Sequence, residues 1–455
     1  GFGDGGEVRV GDDALRVSSD LQFTSPPVAI NGVIVLGSRV KDGTRVEMPQ
    51  GTIRAFDARS GIARWSFDPI PQSAADAAWA TWHMGLSADQ AIPHGGANAW
   101  ADLSVDEQRD LVFVPTSSPS NDYDGTLRPG DNRHADSVLA LQAATGKLVW
   151  EYQLVHHNIY DYDLPTAPLL TTLRVNGARR AAAIQLTKQG LVFAFDRDSG
   201  APLFPVAERP VPQSDVPGER SSATQPMPTT MPALTPQGLQ ADQAWGFTPW
   251  DRAACRRLIE EYSRRDYFSP PSAGGTIFYP ANMGGTNLGQ RAYDPQRKLL
   301  IVSVSRVPLG VVYGHPERTR YLLSPLGAPC SAPPWGALLA LDVEQQRIVW
   351  QVPFGSTEKQ APLSVPLKLG TPTRGGVIAT AGGVIFAAGT KDDAIRAFDT
   401  ATGRELWTHR RPAGGLATPM TYMVDNTQYV VIAAGGHSWM QTAPGDYVLA
   451  FALPH

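Results

Sequence analysis

Ile53-Arg-Ala-Phe-Asp-Ala-Arg-Ser-Gly-Ile-Ala-Arg-Trp65 recurs along this chain, and its recurrence decides the fold class. It returns as Val138-Leu-Ala-Leu-Gln-Ala-Ala-Thr-Gly-Lys-Leu-Val-Trp150 and as Val192-Phe-Ala-Phe-Asp-Arg-Asp-Ser-Gly200. Two more copies are Leu338-Leu-Ala-Leu-Asp-Val-Glu-Gln-Gln-Arg-Ile-Val-Trp350 and Ile395-Arg-Ala-Phe-Asp-Thr-Ala-Thr-Gly-Arg-Glu-Leu-Trp407. Each reads as a strand, an Asp-led tight turn with Gly where φ must be positive, and a second strand running to Trp. A small Ala on one strand faces a large Trp on the next. Recurrence of such a unit every roughly 40–60 residues predicts an all-β chain built as a β-propeller, whose blades bury their faces against one another. Ordinary hairpins in a β-sandwich are the alternative.

Composition agrees. The 455 residues include 44 Gly and 39 Pro but only 18% charged residues, against about a quarter in average proteins, which favours many short strands and turns over helices. A net charge of −4 argues against a nucleic-acid or anionic-membrane partner. No run of about 18 apolar residues is present to span a bilayer. The chain opens Gly-Phe-Gly-Asp-Gly-Gly, with no signal peptide in the sequence as it stands. Cys255 and Cys330 are the two cysteines; no Cys-x-x-Cys-His occurs for covalent haem, and the pair either bridges in an oxidising compartment or remains two buried thiols.

The copies are unevenly spaced. Between the third and fourth, Pro205 to about Pro249 is rich in Pro, Gln, Ser and Thr, and reads as a surface excursion rather than a blade. A helix is expected over Pro249–Arg265, with Trp250, Ala253, Leu258 and Tyr262 near one face. Five copies and a diverged region around Ile277–Val307 make about six blades.

The chemistry concentrates in two segments. Val155-His-His-Asn-Ile-Tyr-Asp-Tyr-Asp-Leu-Pro165 follows a strand-like run, and Thr187-Lys-Gln-Gly190 sets a lone Lys188 between apolar stretches. A lysine turned inward needs an anionic partner, and Asp161 and Asp163 are the nearest candidates. The alternative for the group is a structural salt bridge at a blade junction.

These segments resemble the motif VHHDxWDxD followed by KxG of the PQQ-dependent quinoprotein dehydrogenases, in their glucose, quinate and shikimate class. The Ala and Trp repeat resembles that family's tryptophan-docking motif, and Pro412-Ala-Gly-Gly-Leu-Ala-Thr-Pro-Met-Thr-Tyr422 is close to its wording. The resemblance runs from about Val10 to the C-terminus. It implies an eight-bladed propeller, of which residues 1–455 would hold about six blades, with N-terminal blades lying upstream of Gly1. It implies oxidation of an alcohol, sugar or cyclic polyol, with PQQ and a divalent cation (calcium or magnesium) as cofactors and a quinone as electron acceptor. It also implies a location in the periplasm or at the periplasmic face of the bacterial inner membrane, with membrane association only through a missing N-terminal part. A catalytically inactive binding or assembly propeller is the alternative.

Residue by residue, the resemblance makes Asp161 the base and a possible metal ligand, and Lys188 the group on the reactive quinone oxygens. Trp100 matches the tryptophan on which PQQ stacks. Asp42, Ser118, Ser303 and His437 match further cofactor-side positions, His437 closing Ala433-Ala-Gly-Gly-His437. There are departures. Gly43 follows Asp42 where relatives have Asn, Asn158 stands where the motif has Asp, Tyr160 where it often has Trp, and Leu288 at the place of a common Trp.

Overall fold

A computed structural model describes residues 1–10, 20–41, 45–46, 48–87, 90–92, 94–438 and 440–453. It divides into two compact units. One comprises Gly1–Thr230, Asp266–Thr276 and Val311–Arg318; the other comprises Met231–Arg265, Ile277–Gly310 and Thr319–His455.

In the first unit β1 (Val28–Ile30), β2 (Val33–Leu36), β3 (Ile53–Asp57) and β4 (Ala63–Phe67) form one antiparallel sheet in sequence order. β5 (Ser104–Asp106), β6 (Leu111–Pro115), β7 (Ser137–Gln142) and β8 (Leu148–Gln153) form a second. β9 (Leu169–Val175), β10 (Ala178–Leu186) and β11 (Val192–Asp196) form a third. The second sheet shows why its two inner strands, β6 and β7, are largely apolar on both faces. Side chains alternate across a strand. Val112, Val114, Leu139 and Leu141 therefore pack with Val35, Ile53 and Ala55 of the first sheet. Their neighbours Leu111, Phe113, Val138 and Ala140 pack with Ala183, Phe193 and Phe195 of the third. A strand buried on both faces has no polar side to show.

The repeat supplies the link between sheets. In four copies the Ala and the Trp are direct cross-strand partners: Ala55 with Trp65, Ala140 with Trp150, Ala340 with Trp350 and Ala397 with Trp407. The Trp65 indole N–H donates to the Ala143 carbonyl of the next copy at 2.7 Å, and its ring lies on Gly146. Trp150 does the same to Arg197 and Gly200, and, in the second unit, Trp350 to Thr400 and Gly403. These glycines have φ near +70°, and a Cβ on them would sit about 2.5 Å from the indole, so the position needs Gly twice over. The fourth copy has Gln346 at its own turn, held at φ 55°. The third copy departs from expectation: Val192–Asp196 forms a strand, but the chain beyond its turn makes only a bridge between Phe195 and Pro202, and no Trp follows to end a second strand.

The excursion contains a hairpin, β12 (Val206–Pro210) with β13 (Thr224–Pro228). In the second unit α1 (Pro249–Glu260) is shorter than expected, and its buried face is Asp251, Cys255 and Ile259, while Trp250 is 61% exposed. The face turns because Cys255 is bonded to Cys330, with Cα atoms 5.2 Å apart, and Asp251 accepts from the backbone N–H groups of Phe247 and Leu326. Of the two fates open to the cysteines, the structure takes the bridge. Among the described residues no helix is long and apolar enough to cross a membrane.

β14 (Arg291–Asp294), β15 (Leu299–Ser305), β16 (Gly336–Asp342) and β17 (Arg347–Pro353) form a four-stranded sheet. β18 (Val377–Ala379), β19 (Val384–Ala387), β20 (Ala394–Asp399) and β21 (Glu405–Arg410) form another, and β22 (Met420–Val424), β23 (Thr427–Ala434) and β24 (Tyr447–Ala452) a three-stranded one. Six blade-like sheets therefore occur among the described residues, but not by the expected allocation. The diverged region around Ile277–Val307 does not make the sixth blade; its strands β14 and β15 join β16 and β17 in the sheet of the fourth copy, and the sixth sheet is the C-terminal one.

Candidate active site

The site is assembled in the first unit where β8 gives way to the 155–165 segment. That segment bends twice into left-handed backbone, at His157 (φ 45°) and Asp161 (φ 56°), conformations that non-glycine residues hold only when surroundings enforce them. The surroundings are the excursion hairpin and its loop. Gln225 on β13, fully buried, accepts from the His156 backbone N–H at 2.8 Å and donates to its carbonyl at 2.7 Å. Glu219 lies 2.7 Å from the His157 Nε2 and accepts the Gly125 N–H, while His157 Nδ1 lies 2.6 Å from the Gly130 carbonyl. Arg128, 1% exposed, donates to the Asn158 carbonyl.

Lys188 enters from the turn after β10, closed by the Gly190 N–H on the Thr187 carbonyl. Its ammonium meets Asp161 Oδ1 at 2.8 Å, the Asp161 carbonyl at 3.0 Å and Asp163 Oδ2 at 2.9 Å. Burial alone would pull its pKa down, but the two carboxylates outweigh burial and hold it above the ordinary lysine value. The three N–H groups of the ammonium match three acceptors.

Asp163 is the hub. Oδ2 accepts from Lys188 and from the Trp100 indole N–H at 3.0 Å, and Oδ1 from the Ser118 backbone N–H at 2.8 Å and hydroxyl at 2.6 Å. Burial raises its pKa, yet Lys188 and Ser118 prevail and keep it below the usual carboxylate range. Trp100, half-buried, has the Lys188 ammonium 5.9 Å from its ring centroid, within cation–π range. Asn158 donates to Ser118 Oγ at 2.7 Å and to Asp136 Oδ1 at 2.8 Å.

Three of the expected residues, Lys188, Trp100 and Ser118, thus converge on the Asp163 carboxylate, and a fourth, Asp161, joins them through Lys188. Asp42 lies outside the described residues. Ser303 and His437 belong to the second unit. Ser303 is completely buried on β15, accepting from Gln290 Nε2 at 3.1 Å, with its hydroxyl 3.4 Å from the Gly375 carbonyl. His437 anchors its loop through its backbone N–H on Thr442 Oγ1; its Nδ1 has no hydrogen-bond partner among the described residues, and burial, with the Arg374 charge, holds its pKa below the ordinary histidine value. Sequence reading missed Asp136, Glu219, Gln225 and Arg128. Glu219 stands 62 residues from His157 in a Pro-rich stretch, where no periodicity marks it.

The arrangement suits a flat anionic ring system: an indole face to stack on, with an ammonium beside it for its oxygens. Asp161, by contrast, is committed to Lys188, and no group of three or more His, Cys, Asp or Glu among the described residues could hold a metal ion.

A family model described as PQQ, glucose/ethanol/alcohol dehydrogenase, beta-propeller domain, matches residues 1–321 and 313–430. The chain is 35% identical to the quinate/shikimate dehydrogenase (quinone) of Acinetobacter baylyi and to the quinoprotein glucose dehydrogenase of Escherichia coli, each over 95% of this chain and 57% of the relative. It is 35% identical to the glycerol dehydrogenase large subunit of Gluconobacter oxydans, over the whole chain and 66% of that protein. The chain therefore spans somewhat over half the length of these relatives. Among solved structures, the quinohemoprotein alcohol dehydrogenase of Comamonas testosteroni superposes with a TM-score of 0.67 at 22% identity, over 95% of this chain and 60% of the other.

Proposed function

The chain belongs to the PQQ-dependent quinoprotein dehydrogenases and has their β-propeller fold, and from that premise we propose that it oxidises an alcohol, sugar or cyclic polyol and passes the electrons to a quinone. The observation that carries the proposal is the Asp161–Lys188–Asp163 cluster beside Trp100.

Bound PQQ supplies the two-electron acceptor for the hydride that leaves the substrate carbon. Trp100 would hold it by stacking, and Lys188 by a hydrogen bond. The substrate hydroxyl must lose a proton as its carbon loses hydride, and Asp161 is the base placed to take it. Because all three Lys188 donors are engaged, the ammonium can serve a ligand oxygen only by giving up one present contact. Giving up the Asp161 carboxylate does two things at once: it points a cation at the ligand and frees the base. Calcium or magnesium would accompany PQQ as the divalent cation. The Cys255–Cys330 bridge supports placement in an oxidising compartment, the periplasm. No observation favours an inactive assembly module.

Titrating the chain with PQQ and calcium, and following quinone absorbance and dye reduction with quinate, glucose and glycerol, tests the proposal. Turnover that falls about 10²–10⁴-fold in Asp161→Asn, with PQQ binding kept, is the expected result. An Asp161→Asn protein as active as the wild type would overturn the assignment of the base.

A further inference from the structure

Asp136 is a carboxyl that the reaction above does not use. It follows the loop from Ser118, has φ 50°, and is fully buried. Its Oδ1 accepts from Asn158, and its Oδ2 has no hydrogen-bond partner among the described residues. Asn158 cannot be turned around, because its own Oδ1 accepts the Tyr160 backbone N–H at 2.9 Å. Both Nδ2 hydrogens are thereby assigned, one to Asp136 and one to Ser118 Oγ. Ser118 has a single hydroxyl hydrogen and gives it to Asp163 at 2.6 Å, leaving only a 3.4 Å approach to Asp136. Asp163 receives four donors; Asp136 receives one strong one.

We infer that Asp136 carries a proton in the folded protein and is a positioning residue, a neutral carboxylic acid that aims the Asn158 amide and, through Ser118, the Asp163–Lys188 pair. A buried carboxylate with one donor and an orphaned oxygen would be far costlier than the acid. The charged groups facing it are Asp163, Arg128 and Lys188. Burial first, and the Asp163 charge second, push its pKa well above the ordinary aspartate value, against Asn158, Arg128 and Lys188. The consequence for function rests on the PQQ reading: with Asp136 neutral, the cluster of Asp161, Asp163 and Lys188 faces an anionic ligand with one net negative charge instead of two.

The test is thermodynamic first. An acid whose folded pKa is raised costs stability as pH rises above its unfolded pKa, about 4. Asp136→Asn keeps the acceptor for Asn158 and has no proton to lose. Relative to wild type, its folding equilibrium constant should therefore gain up to about tenfold per pH unit above about pH 4. A constant difference between the two proteins from pH 4 to 8 overturns the inference. Should the variant fail to fold, infrared spectra of the wild type decide: a protonated-carboxyl band at pH 7 that shifts with ¹³C-aspartate and vanishes on unfolding supports it, and absence of the band overturns it. In the PQQ-loaded protein the wild type should show an alkaline limb in kcat that Asp136→Asn lacks, and persistence of that limb in the variant refutes the positioning role. The stability and infrared results do not depend on turnover, so they stand or fall apart from the dehydrogenase reading.

Discussion

Replacing Lys188 by Met keeps the unbranched stem to within one atom and removes its charge, and the cost can be worked from the site. The ammonium is 2.8 Å from one carboxylate and 2.9 Å from the other, so the two oxygens it joins are no more than about 6 Å apart. At an effective dielectric near 20, two like charges at about 6 Å repel by about 3 kcal/mol. Breaking a buried ion pair from one side typically costs about 3–5 kcal/mol, and Lys188 is 7% exposed, so the two routes agree on about 3 kcal/mol or somewhat more. Asp163 keeps three donors, Trp100 and two from Ser118, which holds the loss to the lower end. The sign with pH follows. In the wild type the Asp163 pKa is depressed, so its contribution is present above an unfolded pKa of about 4 and is lost as pH falls through the folded value. Without the ammonium one of the two carboxyls would have a raised pKa, so the variant should gain stability as pH drops from neutral toward about 4. Denaturant unfolding of both proteins across pH 4–8 should therefore show a gap that is widest near neutrality and closes in acid. A gap below about 1 kcal/mol at pH 7, or one that does not change with pH, would refute the charge reasoning.

Gly200→Ala places a methyl about 2.6 Å from the Trp150 ring at a residue with φ 73°, and left-handed strain plus forced repacking predict a loss of about 2–5 kcal/mol in denaturant unfolding. A loss under about 0.5 kcal/mol would mean the Trp–Gly contact between sheets is not what joins them. Cys255→Ser opens a loop spanning 75 residues and should cost about 4 kcal/mol in the chain-entropy picture, with a matching loss on reduction of the wild type; unchanged melting after reduction would contradict it.

The repeat made the fold legible because it is local: Ala, turn, Gly and Trp lie within 13 residues, and their spacing is the geometry of one hairpin. The same holds for Lys188, whose placement between apolar stretches demanded an anion, and Asp161 and Asp163 supplied one. What the sequence could not carry was everything joined across long separations. The helix face was misjudged because a disulfide and a buried aspartate, not apolar periodicity, set it. The diverged region was read as a blade of its own because pairing of Leu299–Ser305 with Gly336–Asp342 crosses an intervening loop. Glu219, Gln225 and Asp136 carry no local signature; a polar side chain becomes part of a site only when folding removes water and leaves it a single partner. Sequence alone thus determined the repeated hairpin and the residues able to do the chemistry. Tertiary structure decided which carboxylate saturates with donors, which shares the lysine and which is left needing a proton, because burial and hydrogen-bond supply exist only once distant segments meet.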